Sequence, residues 1–189
     1  VDGEELDLAT CEVHDFERIL DMKEGYLQRT FKATLSNGKQ IEVASKRFCS
    51  IADDEIGAIE YKVKALNFDG KLTISPYVDF DVENEDSNYD EKFWLEVNKS
   101  ISNGEGYVTA STKKTDFHVC TGMKFELKKN GNAFTFEAET VQKAKYVGNI
   151  VDVDVAKGDE IAIYKYAANI SSMYNDKATL VADCRKSVA

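Results

Sequence analysis

Asp116-Phe117-His118-Val119-Cys120-Thr121-Gly122-Met123-Lys124-Phe125-Glu126-Leu127, running through Lys128-Lys129-Asn130-Gly131 into Asn132-Ala133-Phe134-Thr135-Phe136, is the stretch on which the fold turns. Phe117, Val119, Met123, Phe125 and Leu127 alternate with Asp116, His118, Lys124 and Glu126. That period of two is the mark of a strand with one buried face. Asn130-Gly131 then reads as a hairpin turn whose central residues want positive φ, which returns the chain into Phe134 and Phe136. Outward from this hairpin the same period recurs. Leu27, Phe31, Ala33 and Leu35 alternate with Gln28, Thr30, Lys32 and Thr34, and Ile59, Tyr61, Val63 and Ala65 with Glu60, Lys62 and Lys64. Beyond the Asn67-Phe68-Asp69-Gly70 turn, Leu72, Ile74, Val78 and Phe80 continue it, and Asn37-Gly38 and Asn103-Gly104 supply further hairpin turns. Strands joined by short polar turns, with no helical period between them, predict an all-β antiparallel sandwich over residues 1–172. There is no Ser/Gly/Pro-rich linker and no fixed repeat, so a single sandwich domain is expected.

The pattern breaks near the C-terminal end. After Asn175 and Asp176, either of which can cap, Leu180, Val181, Cys184 and Val188 recur at helical spacing, with Arg185 and Lys186 toward the negative end of the helix dipole. Residues 173–189 are therefore expected to hold a short amphipathic helix with no Gly or Pro stop, which suggests a polypeptide that continues beyond Ala189, and Val1 suggests a chain cropped at its start. Exposed strand edges and the apolar stripe of this helix predict one of two outcomes: self-association, as in a homodimer, or folding of 176–189 back over the chain's own sheet.

Composition narrows the function. The chain is 43% hydrophobic, which excludes general disorder, and its net charge of −10 without a basic cluster argues against a nucleic-acid partner. Apolar runs such as Ile161-Ala162-Ile163-Tyr164 are too short to span a bilayer, and no secretory leader is visible, so no membrane partner is expected. Cys11, Cys49, Cys120 and Cys184 form no Cys-x-x-Cys pair; they read as reduced thiols of a cytoplasmic protein rather than as a zinc site or disulfide framework.

Catalytic signatures are scarce. There is no Gly-x-Ser-x-Gly elbow, His-Glu-x-x-His helix or P-loop, and Gly104-Glu105-Gly106 is only a fragment of a dinucleotide fingerprint, so no cofactor is implied. His14 and His118 form no local pair, and His118 falls on the polar side of its strand, where a surface residue is expected. The compositional anomaly is Asp79 to Glu91, which holds seven carboxylates and no base. Three readings fit it: a solvated loop, a loop that docks on or covers a site, and a Ca²⁺ site built on Asp79, Asp81 and Glu83. The last lacks the glycine and terminal glutamate of an EF-hand. Phe93 and Trp94 follow directly; a Trp there is either buried or, with Tyr89 and Phe93, a platform for stacking sugars. Asp53-Asp54-Glu55 sit in one turn and cannot flank a substrate from opposite sides as glycosidase carboxylates must.

Leu20-Asp21-Met22-Lys23-Glu24-Gly25, then Ser45-Lys46-Arg47-Phe48-Cys49-Ser50-Ile51-Ala52-Asp53, then Ala58-Ile59-Glu60-Tyr61 and Leu66-Asn67-Phe68-Asp69-Gly70, resemble successive strands in the N-terminal domain of the glycoside hydrolase family 65 disaccharide phosphorylases. The stretch from Asn84 to Trp94 is similar to the maltose phosphorylase branch. The resemblance implies a β-sandwich of the super-sandwich type, followed in the parent polypeptide by an (α/α)₆ catalytic barrel. That barrel would carry the general acid and the phosphate site, so no catalytic residue is transferred to this chain. It implies that the parent cleaves a disaccharide with inorganic phosphate, with inversion, and that this domain supports the barrel, shapes subunit contacts and is inactive alone. Candidate residues for a docking or site-covering loop are Asn84, Asn88, Tyr89, Asp90, Phe93 and Trp94; no metal site and no catalytic site is assigned. Two alternatives remain: an independent carbohydrate-binding sandwich and a calcium-bound adhesion module.

Overall fold

The computed structural model describes residues 1–83 and 91–189. Two antiparallel sheets face one another. The larger, nine-stranded sheet runs β1 (Glu12–Asp21), β2 (Tyr26–Thr34), β3 (Gln40–Cys49), β4 (Ile56–Ala65), β13 (Glu160–Ser171), β9 (His118–Lys129), β8 (Glu105–Thr112) and β7 (Trp94–Ser102), with β10 (Asn132–Ala133) paired to β9. In the smaller sheet β12 (Tyr146–Val155) is central, with β11 (Glu139–Lys143) on one side and β5 (Gly70–Ile74) and β6 (Tyr77–Asp79) on the other. The all-β antiparallel sandwich expected from the alternation is the observed fold.

The alternating apolar residues meet between the sheets. Phe31, Val43, Phe125, Leu127 and Ile161 of the large sheet pack on Leu72, Val151, Val153 and Val155 of the small one. Each such side chain removed from water contributes about 1.5–3 kcal/mol. A second interior lies under β6, where Val78 and Phe80 cover Val108, Ala110, Met123 and Val147.

Three local expectations are corrected. The single strand drawn through Leu72 to Phe80 is two, because Pro76 interrupts it; β5 pairs with Val151–Val155, and β6 separately with Tyr146–Gly148. At Asn130-Gly131 both residues take positive φ, 50° and 80°, whereas at Asn37-Gly38 and Asn103-Gly104 only the glycines do. The arm after Asn130-Gly131 pairs for just two residues. Phe134 and Phe136 then leave the ladder to close the edge of the core, Phe136 stacking on Phe125 at 5.1 Å.

Helix α1 (Leu180–Ser187) folds back over the chain's own sheet, on the face opposite the small sheet. Leu180, Cys184 and Val188 are buried against Tyr107, Cys120, Ala168 and Ile170. Neither Asn175 nor Asp176 is its cap. Asp176 Oδ1 accepts the Ala178 N–H in a preceding turn, and the N-cap is Thr179, whose side chain makes no capping bond. Gly122 makes the seat possible: a Cβ there would lie 2.5 Å from Cys184 Sγ and 2.6 Å from the Tyr107 ring. This covering also takes His118 out of the surface role expected for it. Its side chain is only 15% exposed and pairs with Asp116 at 2.7 Å, while Asp116 also binds Lys177 from the segment leading into the helix.

Candidate functional site

The described ends of the acidic run, next to β6 and β7, are clasped by side chains of several elements. Phe80, buried at the end of β6, meets Trp94, the first residue of β7, edge to face with centroids 5.3 Å apart. Outside this aromatic pair lies an ionic one. Asp81 accepts from Lys92 at 2.8 Å and from Lys145, in the β11–β12 turn, at 2.5 Å. The Phe80 N–H donates to the Lys145 carbonyl at 2.9 Å, so that turn is bound by both backbone and side chain. Glu91 receives Lys113 at 3.3 Å, and the Lys113 N–H donates to the Phe93 carbonyl at 3.1 Å. Strand β7, an outer strand of the large sheet, is held to the same turn by Glu96, which accepts the Lys145 N–H and Lys99 Nζ, while Lys99 also reaches the Lys143 carbonyl.

The electrostatics follow from this geometry. Hydrogen bonds from Lys145 and then Lys92 hold the Asp81 carboxyl below its ordinary range, and the same contact raises Lys92. Asp81 is thus a clamped carboxylate, each of its oxygens held by a lysine. Among the described residues no group of three or more His, Cys, Asp or Glu side chains is arranged to hold a metal ion.

Phe93 and Trp94 are both half-buried at this stem. Trp94 packs against the interior beneath β6 rather than standing clear of the sheet. Asn84, Asn88, Tyr89 and Asp90 lie outside the described residues. Asp53 and Asp54 are exposed in the β3–β4 turn, whereas Glu55 is half-buried and contacts Asn175 at 3.3 Å. The sequence reading missed Lys145, which is 64 residues from Asp81 and in a different hairpin; nothing local links the two.

All four cysteines are free thiols. Cys49 is exposed, whereas Cys120 and Cys184 are buried where α1 meets the large sheet, and Cys184 Sγ, on the helix, lies 3.7 Å from the Cys120 carbonyl and 3.6 Å from that of Ala168. The hydrogen bond with Cys120, followed by burial, pushes the Cys184 thiol far up.

The whole chain, residues 1–189, matches the family described as "Glycosyl hydrolase family 65, N-terminal domain". The chain belongs to this family. Among its relatives are the α,α-trehalose phosphorylase of Thermoanaerobacter brockii, 30% identical over 96% of this chain and 24% of that protein, and the maltose phosphorylase of Bacillus subtilis, 40% identical over 62% of this chain and 15% of that protein. The kojibiose phosphorylase of Thermoanaerobacter brockii is 33% identical over 67% of this chain and 17% of its own length. A solved structure, a putative kojibiose phosphorylase from human microbiome, superposes with a TM-score of 0.84 at 21% identity, covering 98% of this chain and 23% of that one. The super-sandwich of family 65 is thereby shared. The chain spans between 15% and 24% of the length of these relatives. Among the described residues no helix is long and apolar enough to cross a membrane.

Proposed function

We propose that this chain is the non-catalytic, supporting N-terminal domain of an inverting disaccharide phosphorylase, with residues 173–189 entering a linker to a helical catalytic barrel. The carrying observation is membership of the family 65 N-terminal domain by a chain about a quarter as long as its relatives, which are phosphorylases of maltose, trehalose and kojibiose. Phosphorolysis needs one carboxylic acid held protonated to donate to the leaving oxygen; phosphate is already a nucleophile and needs no base. Here the carboxyls with displaced pKa values move the other way. Asp81, Asp116 and Asp152 are all held low by hydrogen bonds from lysine or hydroxyl partners, which suits structural anchors rather than a general acid.

The parent reaction proposed is maltose plus inorganic phosphate giving β-glucose 1-phosphate and glucose, in the cytoplasm. The maltose phosphorylase relative, 40% identical over 117 residues, supports that substrate. The test assays two proteins with maltose, trehalose and kojibiose, each with phosphate: the 189-residue chain and the product of its uncropped reading frame. Glucose 1-phosphate is expected from the longer protein with maltose and from neither protein with the other sugars; release by the chain alone overturns the supporting role. Calorimetric binding of maltose by the chain alone would instead favour an independent carbohydrate-binding module.

A further inference from the structure

The inner face of the large sheet extends past the small sheet, and its side chains form rows across the strands. Phe31, Val43, Val63 and Ile161 make one row inside the core. Two residues further along each strand comes Arg18, Arg29, Ser45, Tyr61 and Ile163, and then Leu20, Leu27, Arg47, Ile59 and Lys165. These outer rows line two contiguous hollows, of about 270 and 450 Å³, which share Leu27, Arg47 and Ile59.

The charges on this face are unusual for so acidic a chain. Arg18, Arg29 and Arg47 are three of its four arginines, and among the described residues none of the three has a carboxylate partner. Arg18 and Arg29 lie over the rings of Phe16 and Phe31, at 5.5 and 5.4 Å, which orients the guanidinium groups without neutralising them. The two outer rows contain no Asp or Glu, and the carboxylates that line the larger hollow, Asp54 and Glu55, come from the β3–β4 turn and make no ion pair with the three arginines. Apolar side chains at this end of the sheet are bare: Leu20, which lines the larger hollow, is 65% exposed, and Met22 and Ile51, in the β1–β2 and β3–β4 turns, are 86% and 95% exposed. A solvated face does not need apolar side chains beside unpartnered arginines; an interface does.

We propose that this hollow seats an acidic, apolar-centred segment of the larger part of the polypeptide that the relatives carry, with carboxylates meeting Arg18, Arg29 and Arg47 and an apolar side chain entering between Leu27 and Ile59. The proposal rests on the reading of the chain as one domain of a longer phosphorylase. Charge complementarity selects the partner's sign, because guanidinium groups pair with carboxylates in bidentate geometry. The apolar floor selects a polypeptide over a free anion, which would leave Leu20, Leu27 and Ile59 exposed. The length of the relatives supplies the source, since three quarters or more of each lies outside the matched region.

The test uses the product of the uncropped reading frame. An amine placed by Arg47→Lys is treated with carbodiimide, and zero-length cross-links are mapped by mass spectrometry on a mixture of isotopically light and heavy protein. In parallel, unsubstituted protein is labelled with phenylglyoxal. The expected result is a cross-link within one polypeptide from position 47 to a carboxylate beyond residue 189, with Arg18, Arg29 and Arg47 modified about tenfold more slowly than in urea. Arg29→Glu with Arg47→Glu should abolish the protection of Arg18. A light-to-heavy cross-link seats a second copy there and overturns the proposal, as does a cross-link confined to residues 1–189, or fast labelling of all three arginines. A longer protein that is an active phosphorylase with an open hollow sinks this inference alone; a reading frame without a further domain sinks the domain reading itself.

Discussion

Phe80 and Trp94, which flank a stretch of sequence containing six carboxylates, meet edge to face with ring centroids 5.3 Å apart and planes at 75°. Neighbouring carboxylates repel one another, so the described ends of this stretch are held by contacts other than their own charge. Phe80 and Trp94 supply that from the apolar side, and Lys92 and Lys145 on Asp81 supply it from the polar side.

Trp94→Ala is expected to cost about 2–3 kcal/mol, less than for a fully buried Trp because this one is half-buried. Phe80→Ala is expected to cost about 3 kcal/mol, and the double variant to fall short of the sum by about 1 kcal/mol, the aromatic pair's own coupling. Denaturant unfolding followed by circular dichroism measures all three. Strict additivity would show that the two rings do not act as a pair.

Gly122→Ala tests the seat of α1. Its Cβ would meet Cys184 Sγ at 2.5 Å and Tyr107 at 2.6 Å, both in a fully packed interior, so the helix must lift or the sheet must shift. A loss of about 1–3 kcal/mol is expected, with faster amide exchange concentrated in residues 180–187. Adding Cys184→Ala should restore part of it. Uniform exchange across the sheet instead would mean that the helix contributes little by its packing.

The Asp81 clamp has a pH signature. Its folded pKa lies below the ordinary 3.8 because hydrogen bonds from Lys145 and Lys92 favour the carboxylate. A depressed folded pKa contributes stability that is complete above the unfolded value and is lost as pH falls through the folded one. Asp81→Asn should therefore lower stability at neutral pH by a small, salt-sensitive amount, and the difference from the parent chain should shrink below about pH 4. A difference that persists unchanged at pH 2.5 would assign the loss to packing.

Thiol reactivity should divide the four cysteines. Cys49 is exposed and should react first with Ellman's reagent, Cys11 next, and Cys120 and Cys184 only on unfolding, since both are buried and the Cys184 thiolate is disfavoured. Leu180→Ala, which loosens the helix, should make the last two reactive under native conditions.

Alternation of side chains is a local property, and the sequence alone determined several strands, the three Asn-Gly hairpins and the sandwich class from it. Val43, Val63 and Ile161 bury one face whatever lies opposite. The terminal amphipathic stripe was equally legible, because Leu180, Cys184 and Val188 recur within one helix. What lies against such a stripe depends on groups far away in the chain. Only the tertiary structure put Cys184 over Gly122, took His118 out of solvent and brought Lys145 to Asp81. The same holds for Arg18, Arg29 and Arg47. Each reads in sequence as an ordinary polar position of a strand, and their grouping in two adjacent rows of one sheet face exists only once β1, β2 and β3 pair in register. Register and layer length are set by contacts summed over the whole sheet, and no window of sequence contains them.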